Sequence, residues 1–198
     1  MNPITLKIRP YTSDGFIVRE IMTDDCYLTS LINQGDVVFD IGAHIGIFSA
    51  LALTRTDKVF AYEPLKENCV LLRQNAPKAT INPVAVSFDG STENMKLLVG
   101  SFNKGDGKLN STVGITVKCI RFDELIGEQI DFLKIDIEGS EVGLLWHPEW
   151  LAKVKIIAIE THDGMFKNFY NFLFSCGFRF LKTNQDGSLG LIVARKIE

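Results

Sequence analysis

The densest apolar run of the chain, Val37-Val38-Phe39-Asp40-Ile41, packs β-branched and aromatic side chains at nearly every position. That is the pattern of a strand buried on both faces of a parallel sheet. The small-residue turn Gly42-Ala43-His44-Ile45-Gly46 follows it, and the apolar residues 47–53 read as a helix. Glycines at such a turn let the backbone come close to a ligand, and the helix start offers unpaired N–H groups. In a doubly wound sheet, ligands sit at the carboxyl ends of the strands, so this turn is the expected cofactor site.

Along the rest of the chain, residues 4–9 and 16–21 are two β-prone runs around the turn formers of residues 11–15, which predicts an N-terminal β-hairpin. Residues 24–33 read as a short helix ended by Gly35. Residues 58–62 form a second strand, and Glu63-Pro64 opens a helix to about Asn75. Residues 80–86 form a third strand, which Pro83 places at a sheet edge. Residues 87–114 are rich in Gly, Asn, Ser and Lys, with a strand-like piece at 95–99 and a loose loop from 100 to 114 as the candidate mobile segment. Strands at 115–121, 131–136 and 155–160 alternate with helical pieces at 122–126, 139–146 and 165–176. Residues 178–183 and 189–195 close the chain as an antiparallel hairpin.

Composition narrows the function classes. With 198 residues and 46% hydrophobic content, one compact domain over residues 1–198 is expected, residues 1–34 forming the N-terminal part and 35–198 the core. Twenty-one basic residues against 24 acidic ones give a net charge of −3 without a dense Lys/Arg block, which argues against nucleic acid. No apolar run reaches the roughly 18 residues of a membrane span, and the N-terminus lacks a signal-peptide core, so a cytoplasmic location is expected. Cys26, Cys69, Cys119 and Cys176 show no zinc spacing. Asn110-Ser111-Thr112 matches a glycosylation acceptor, with no secretion signal to support its use.

The candidate chemistry lies at strand ends. Asp40 precedes the glycine turn, where its carboxylate either accepts turn or ligand N–H groups or braces the loop. Glu63, about 20 residues beyond the turn, stands where a carboxylate accepts both ribose hydroxyls, the alternative being a cap on the helix behind Pro64. A dinucleotide fingerprint would need glycine at position 44, which is His44. Asp40-x-Gly42-x-x-x-Gly46 instead resembles the first motif of S-adenosylmethionine (SAM)-dependent methyltransferases, with the middle glycine replaced.

VVFDIGAHIGIF (37–48), FAYEP (60–64), FDELIGEQIDFLKIDIEGSE (122–141) and IAIETH (157–162) look like the FkbM family of methyltransferases, the K-I-D-I-E-G-S-E string being the most specific. The resemblance covers residues 35 to 162. It implies an α/β fold with the three-layer, Rossmann-like sheet of class I methyltransferases, mostly parallel, closed by the antiparallel C-terminal hairpin. It also implies that Asp40, Gly42, Ala43, His44 and Gly46 hold the methionine part of S-adenosyl-L-methionine. Glu63 with Pro64 would hold the ribose, and Ala85 would border the adenine. Ser13, Asp14 and Tyr27 close over the cofactor or serve as ordinary packing. A side chain at position 42 would fill the methionine pocket while sparing the fold.

Methyl transfer needs the acceptor aligned and its proton removed. Asp136, Glu138 and His162 are the candidates for that work. Asp136 stands nearer the cofactor, and Glu138 alternatively caps a helix. Asp136, Glu160 and Asp163 form an alternative set of Mg²⁺ ligands, argued only from hard oxygen chemistry. The expected activity is O-methylation of a small-molecule or carbohydrate hydroxyl on a sugar, glycolipid or natural product, with S-adenosylhomocysteine as product. Two alternatives stay open, a non-catalytic SAM-binding scaffold and a nicotinamide-dependent oxidoreductase. Self-association as a homo-oligomer is also open.

Overall fold

The computed structural model describes residues 4–88, 95–99, 107–108, 114–125, 127 and 129–197. In chain order the strands are β1 (Val37–Ile41), β2 (Lys58–Tyr62), β3 (Thr80–Asn82), β4 (Ala85–Ser87), β5 (Met95–Val99), β6 (Gly107–Lys108), β7 (Ile115–Val117), β8 (Cys119–Arg121), β9 (Ile130–Ile135), β10 (Val154–Thr161), β11 (Phe178–Asp186) and β12 (Leu189–Lys196). The α-helices are α1 (Asp14–Val18), α2 (Ile47–Ala52), α3 (Lys66–Asn75), α4 (Phe122–Leu125) and α5 (Phe166–Ser175).

Seven strands form the central sheet in the order β11-β12-β10-β9-β1-β2-β3. The β1–β2, β2–β3, β1–β9 and β9–β10 pairs are parallel, and β12 runs antiparallel between β10 and β11. The mostly parallel sheet with an antiparallel C-terminal hairpin is therefore as the alternation of elements predicts. Strand periodicity sends Phe39, Ile41, Leu133, Ile135, Ile157 and Ile159 into a core with α5 and the 3₁₀ segments Ser140–Trp146 and Pro148–Lys153. Val38, Val59, Phe132, Ile156 and Ala158 face the opposite way, onto α2 and the N-terminal segment. The sheet is thus covered on both faces, and Asp40, Lys134 and Glu160 continue the second face at the carboxyl ends of adjacent strands.

The predicted N-terminal hairpin is not formed. Residues 4–9 contain no paired strand, and residues 14–23 are helical: α1 continues into a widened π-type turn over Arg19–Thr23. Ile17 and Ile21 pack into the second core at helical spacing, and burial of that stripe outweighs the β preference of the Phe-Ile-Val run. The helix predicted over 24–33 shrinks to the 3₁₀ turn Thr29–Leu31. Asp25 and Leu28 take left-handed backbone with φ of 41° and 54°, and the Asp25 carboxylate accepts from Thr29 N–H and Oγ1, ending any longer helix. β3 is the edge strand Pro83 predicts, but the strand stops there, and β4 leaves to pair with β8 in a separate sheet. β5 is formed as a strand and pairs antiparallel with β7. Most of the candidate mobile loop at 100–114, and the Asn110 glycosylation acceptor, lie outside the described residues. No helix of the described residues is long and apolar enough to cross a membrane.

Candidate active site

A cavity of about 570 Å³ opens at the carboxyl ends of the parallel strands, within the range of ligand sites. Ser13, Tyr27, Gly42, Ala43, His44, Glu63, Pro64, Ala85, Asp136 and Glu138 line it, so most of the predicted residues converge on one space. Asp14, Asp40, Gly46 and His162 stand behind its wall. Asp14 is fully buried and holds Arg9, through Oδ1 at 2.8 Å from Nη2 and Oδ2 at 3.0 Å from Nε. Burial alone would raise the Asp14 carboxyl, but the Arg9 hydrogen bonds hold it below its usual range. It is a brace for the N-terminal segment, whose Ser13, Phe16, Ile17 and Glu20 do line the cavity.

The glycine turn is shaped by the sheet beneath it. Gly42 has φ +79°, and a Cβ there would stand 1.8 Å from the Asp136 carbonyl oxygen. A side chain at 42 therefore collides with the end of β9, so the expectation that it would spare the fold is corrected. Gly46 at φ +86° caps α2, and a Cβ would press on Leu72 of α3.

His44 also has left-handed backbone, φ 52°, and its Nε2 lies 2.6 Å from Arg9 Nη2. Arginine only donates, so Nε2 accepts and the proton of the neutral ring sits on Nδ1. Burial and the Arg9 charge lower the His44 pKa to about 4, keeping it neutral. Nδ1 is buried without a hydrogen-bond partner among the described residues.

Glu63 is part of the cavity wall and also caps the local backbone. It accepts from His44 N–H at 2.9 Å, Leu65 N–H at 2.9 Å and Asn68 Nδ2 at 3.2 Å. A carboxylate offers about four acceptor sites, so room remains for one further donor. Burial pushes the Glu63 pKa up to about 7 against these donors.

Lys134 is the central residue that sequence reasoning missed. It is 3% exposed, donates to the Gly42 carbonyl at 2.7 Å, and pairs with Asp40 at 3.3 Å and Asp136 at 3.5 Å. Burial works against its charge, and Asp40 and Asp136 outweigh it. Asp40 is thus a brace, its other oxygen taken by Ser49 Oγ at 2.6 Å. A lysine inside the apolar run of β9, two residues from Asp136, was the available signal. Tyr27, buried, brings its hydroxyl within 3.2 Å of both Asp136 and Glu160.

Beyond β9 and β10, His162 sits among carboxylates. Its Nδ1 is 2.9 Å from Glu141 Oε1, and its Nε2 lies 3.3 Å from Glu138 and 3.8 Å from Glu160. Burial disfavours the charged ring, but Glu141 and the other carboxylates overcome it and push the pKa up to about 9. The repulsion of Asp136, with burial, raises Glu160 to about 8. Glu138 stands in left-handed backbone at φ 57°, a strained position just past the strand end. Asp136, Glu160 and His162 place ligand atoms within 4.8 Å of one another, and Asp163 is not in that group. A charged imidazolium bound to Glu141 does not complete the hard oxygen set that Mg²⁺ prefers, so the geometry gives that ion no support.

These shifts share a sign. Glu63, Glu160 and His162 all bind protons more tightly folded than at their ordinary values of 4.5, 4.5 and 6.5. The stabilisation from charged His162 is complete below about 6.5 and is lost as pH rises through about 9. The stabilisation from the protonated acids is lost from about 4.5 upward, through about 7 for Glu63 and about 8 for Glu160. Melting temperature is therefore expected to fall steadily from pH 6.5 to 9, and a rise across that window would contradict the assignment.

Residues 40–180 match the methyltransferase FkbM domain. The chain belongs to the FkbM methyltransferase family. Among its relatives, the hexuronic acid methyltransferase AglP of Haloferax volcanii is 28% identical over 140 residues, covering 67% of this chain, which spans only 58% of AglP. The 31-O-demethyl-FK506 methyltransferase FkbM of Streptomyces tacrolimicus is 29% identical over 75% of this chain and 74% of its own length. Among solved structures, a methyltransferase FkbM from Methylobacillus flagellatus superposes with a TM-score of 0.54 at 18% identity, over 80% of this chain and 43% of that one. An rRNA methylase from Streptococcus thermophilus gives a TM-score of 0.57 at 13% identity, over 89% and 95%. At these identities the structures share the fold, the Rossmann-like class I methyltransferase architecture. Family membership sets aside the nicotinamide oxidoreductase alternative.

Proposed function

We propose that this chain is a SAM-dependent O-methyltransferase acting on a hydroxyl of a sugar or natural product. The observation that carries the reading is the cavity wall at the ends of β1 and β2. There the small residues of the turn and neutral His44 leave room for the amino-acid end of a ligand, and Glu63 keeps one acceptor site for a ribose hydroxyl. Pro64 and Ala85 offer an apolar border for an adenine, and Ser13 and Tyr27 close the N-terminal side. Bound there, SAM would supply an activated methyl group on a sulfonium. Asp136, held by Lys134 and Tyr27, positions the groups at the cavity end. Glu138 takes the acceptor proton, and the charged ring of His162, 3.3 Å away, favours its ionised form.

The names of two relatives support a carbohydrate or natural-product acceptor, and the absence of a dense Lys/Arg block in the sequence argues against nucleic acid. The reading is tested by calorimetric titration with S-adenosylhomocysteine, followed by methylation of a carbohydrate panel. Binding without turnover of any hydroxyl would favour the scaffold alternative. Glu63→Gln is expected to weaken S-adenosylhomocysteine by roughly 1–3 kcal/mol, through loss of a charged acceptor. Unchanged affinity in a folded variant would remove Glu63 from the ribose site.

A further inference from the structure

The far end of the cavity is walled by Glu20 and Asp24 of the N-terminal helical segment, Asp136 and Glu138 after β9 and Asp186 at the end of β11, with Glu160 at the end of β10, which Asp136 and burial keep protonated below about 8. The cations lining it, Lys134 and Lys182, are fewer than these acids. Lys134 is enclosed by Asp40, Asp136 and the Gly42 carbonyl, and Lys182 Nζ donates to the Asp25 carbonyl at 3.3 Å. No arginine lines the cavity among the described residues, and His44 is neutral. The negative field is felt by its own members, since burial first and then Asp136 and Asp24 raise the Glu20 carboxyl.

Phe16 provides a second, independent feature. It is 75% exposed yet lines the cavity, four residues before Glu20 on the same helical stretch. An open aromatic ring beside carboxylates suits the C–H faces of a sugar and attracts a cation, whereas an anion would meet an excess of like charge.

We propose that the acceptor is a hydroxylated molecule bearing a positive charge, an amino sugar being the simplest form, and that anionic acceptors such as uronates are rejected. The proposal rests on the methyltransferase reading of the same cavity and separates this chain from its relative named for hexuronic acid.

The test uses protein saturated with S-adenosylhomocysteine and titrated, at mildly acidic pH and low salt, with the methyl glycosides of glucosamine, glucose and glucuronic acid. The aminoglycoside is expected to bind at least about tenfold more tightly than the uronide, with the neutral glycoside between them. Added salt should shrink the difference. Glu20→Gln combined with Asp24→Asn should reduce the preference while leaving S-adenosylhomocysteine affinity unchanged. Equal or inverted affinities, or no binding by any of the three, would overturn the proposal. A failure of S-adenosylhomocysteine itself to bind would instead sink the methyltransferase reading, and the first titration shows that separately.

Discussion

Lys134→Met is expected to cost about 3–5 kcal/mol of folding stability, because breaking a buried ion pair strands the remaining charge. Asp40 is fully buried, with one oxygen satisfied by Ser49 and the other facing Lys134 at 3.3 Å without a hydrogen bond of its own. Removing the cation also frees the Gly42 carbonyl, which Lys134 holds at 2.7 Å where the turn meets β9. Methionine keeps the length of the stem, so the loss reads out charge rather than a cavity. Adding Asp40→Asn should recover much of the stability, since the stranded charge is then gone. Urea unfolding of the three proteins measures this. A loss under about 1 kcal/mol in the single variant would show that the lysine is a marginal surface-like pair and not the pin of the turn.

Removal of the Glu138 carboxylate has its expected effect on rate instead. Glu138→Gln should lower the methylation rate roughly 10²–10⁴-fold on any acceptor that the wild type turns over. Cofactor affinity should be nearly intact, because the side chain lies past the end of β9 and away from the turn that Gly42 and Glu63 form. The proposal gives His162 a positioning role, since Glu141 and the neighbouring carboxylates push its pKa up to about 9 and favour the charged ring. His162→Gln should therefore act through Glu138, shifting the pH–rate profile toward higher pH as the neighbouring positive charge is lost. If Glu160→Gln abolishes turnover while Glu138→Gln retains it, the base is the Glu160 carboxyl.

The core of the sheet was readable because its strands are uninterrupted apolar runs, and residues 37–41, 58–62 and 155–160 fall almost on β1, β2 and β10. The N-terminal segment was not, since Phe16, Ile17 and Val18 favour strands locally. Only the tertiary burial of Ile17 and Ile21 against the second face turns them into a helix. At the site, sequence reading found the residues that line the cavity but missed what holds them. Lys134 pins the glycine turn to β9, Glu141 holds His162, and Arg9 reaches His44 from 35 positions away in the chain. Their partners are set by the folding of distant segments onto one another. His162 shows the same limit, since its place after β10 gave no sign of the three carboxylates gathered around it.

The central claim is that the carboxyl ends of β1, β2 and β9 hold SAM. Isothermal titration of the folded chain with S-adenosylhomocysteine tests it most directly, with Glu63→Gln as the paired variant. The predicted result is saturable one-to-one binding by the wild type and a clearly weaker isotherm for the variant. A folded wild-type chain that takes up no heat with S-adenosylhomocysteine or SAM at any temperature would contradict it.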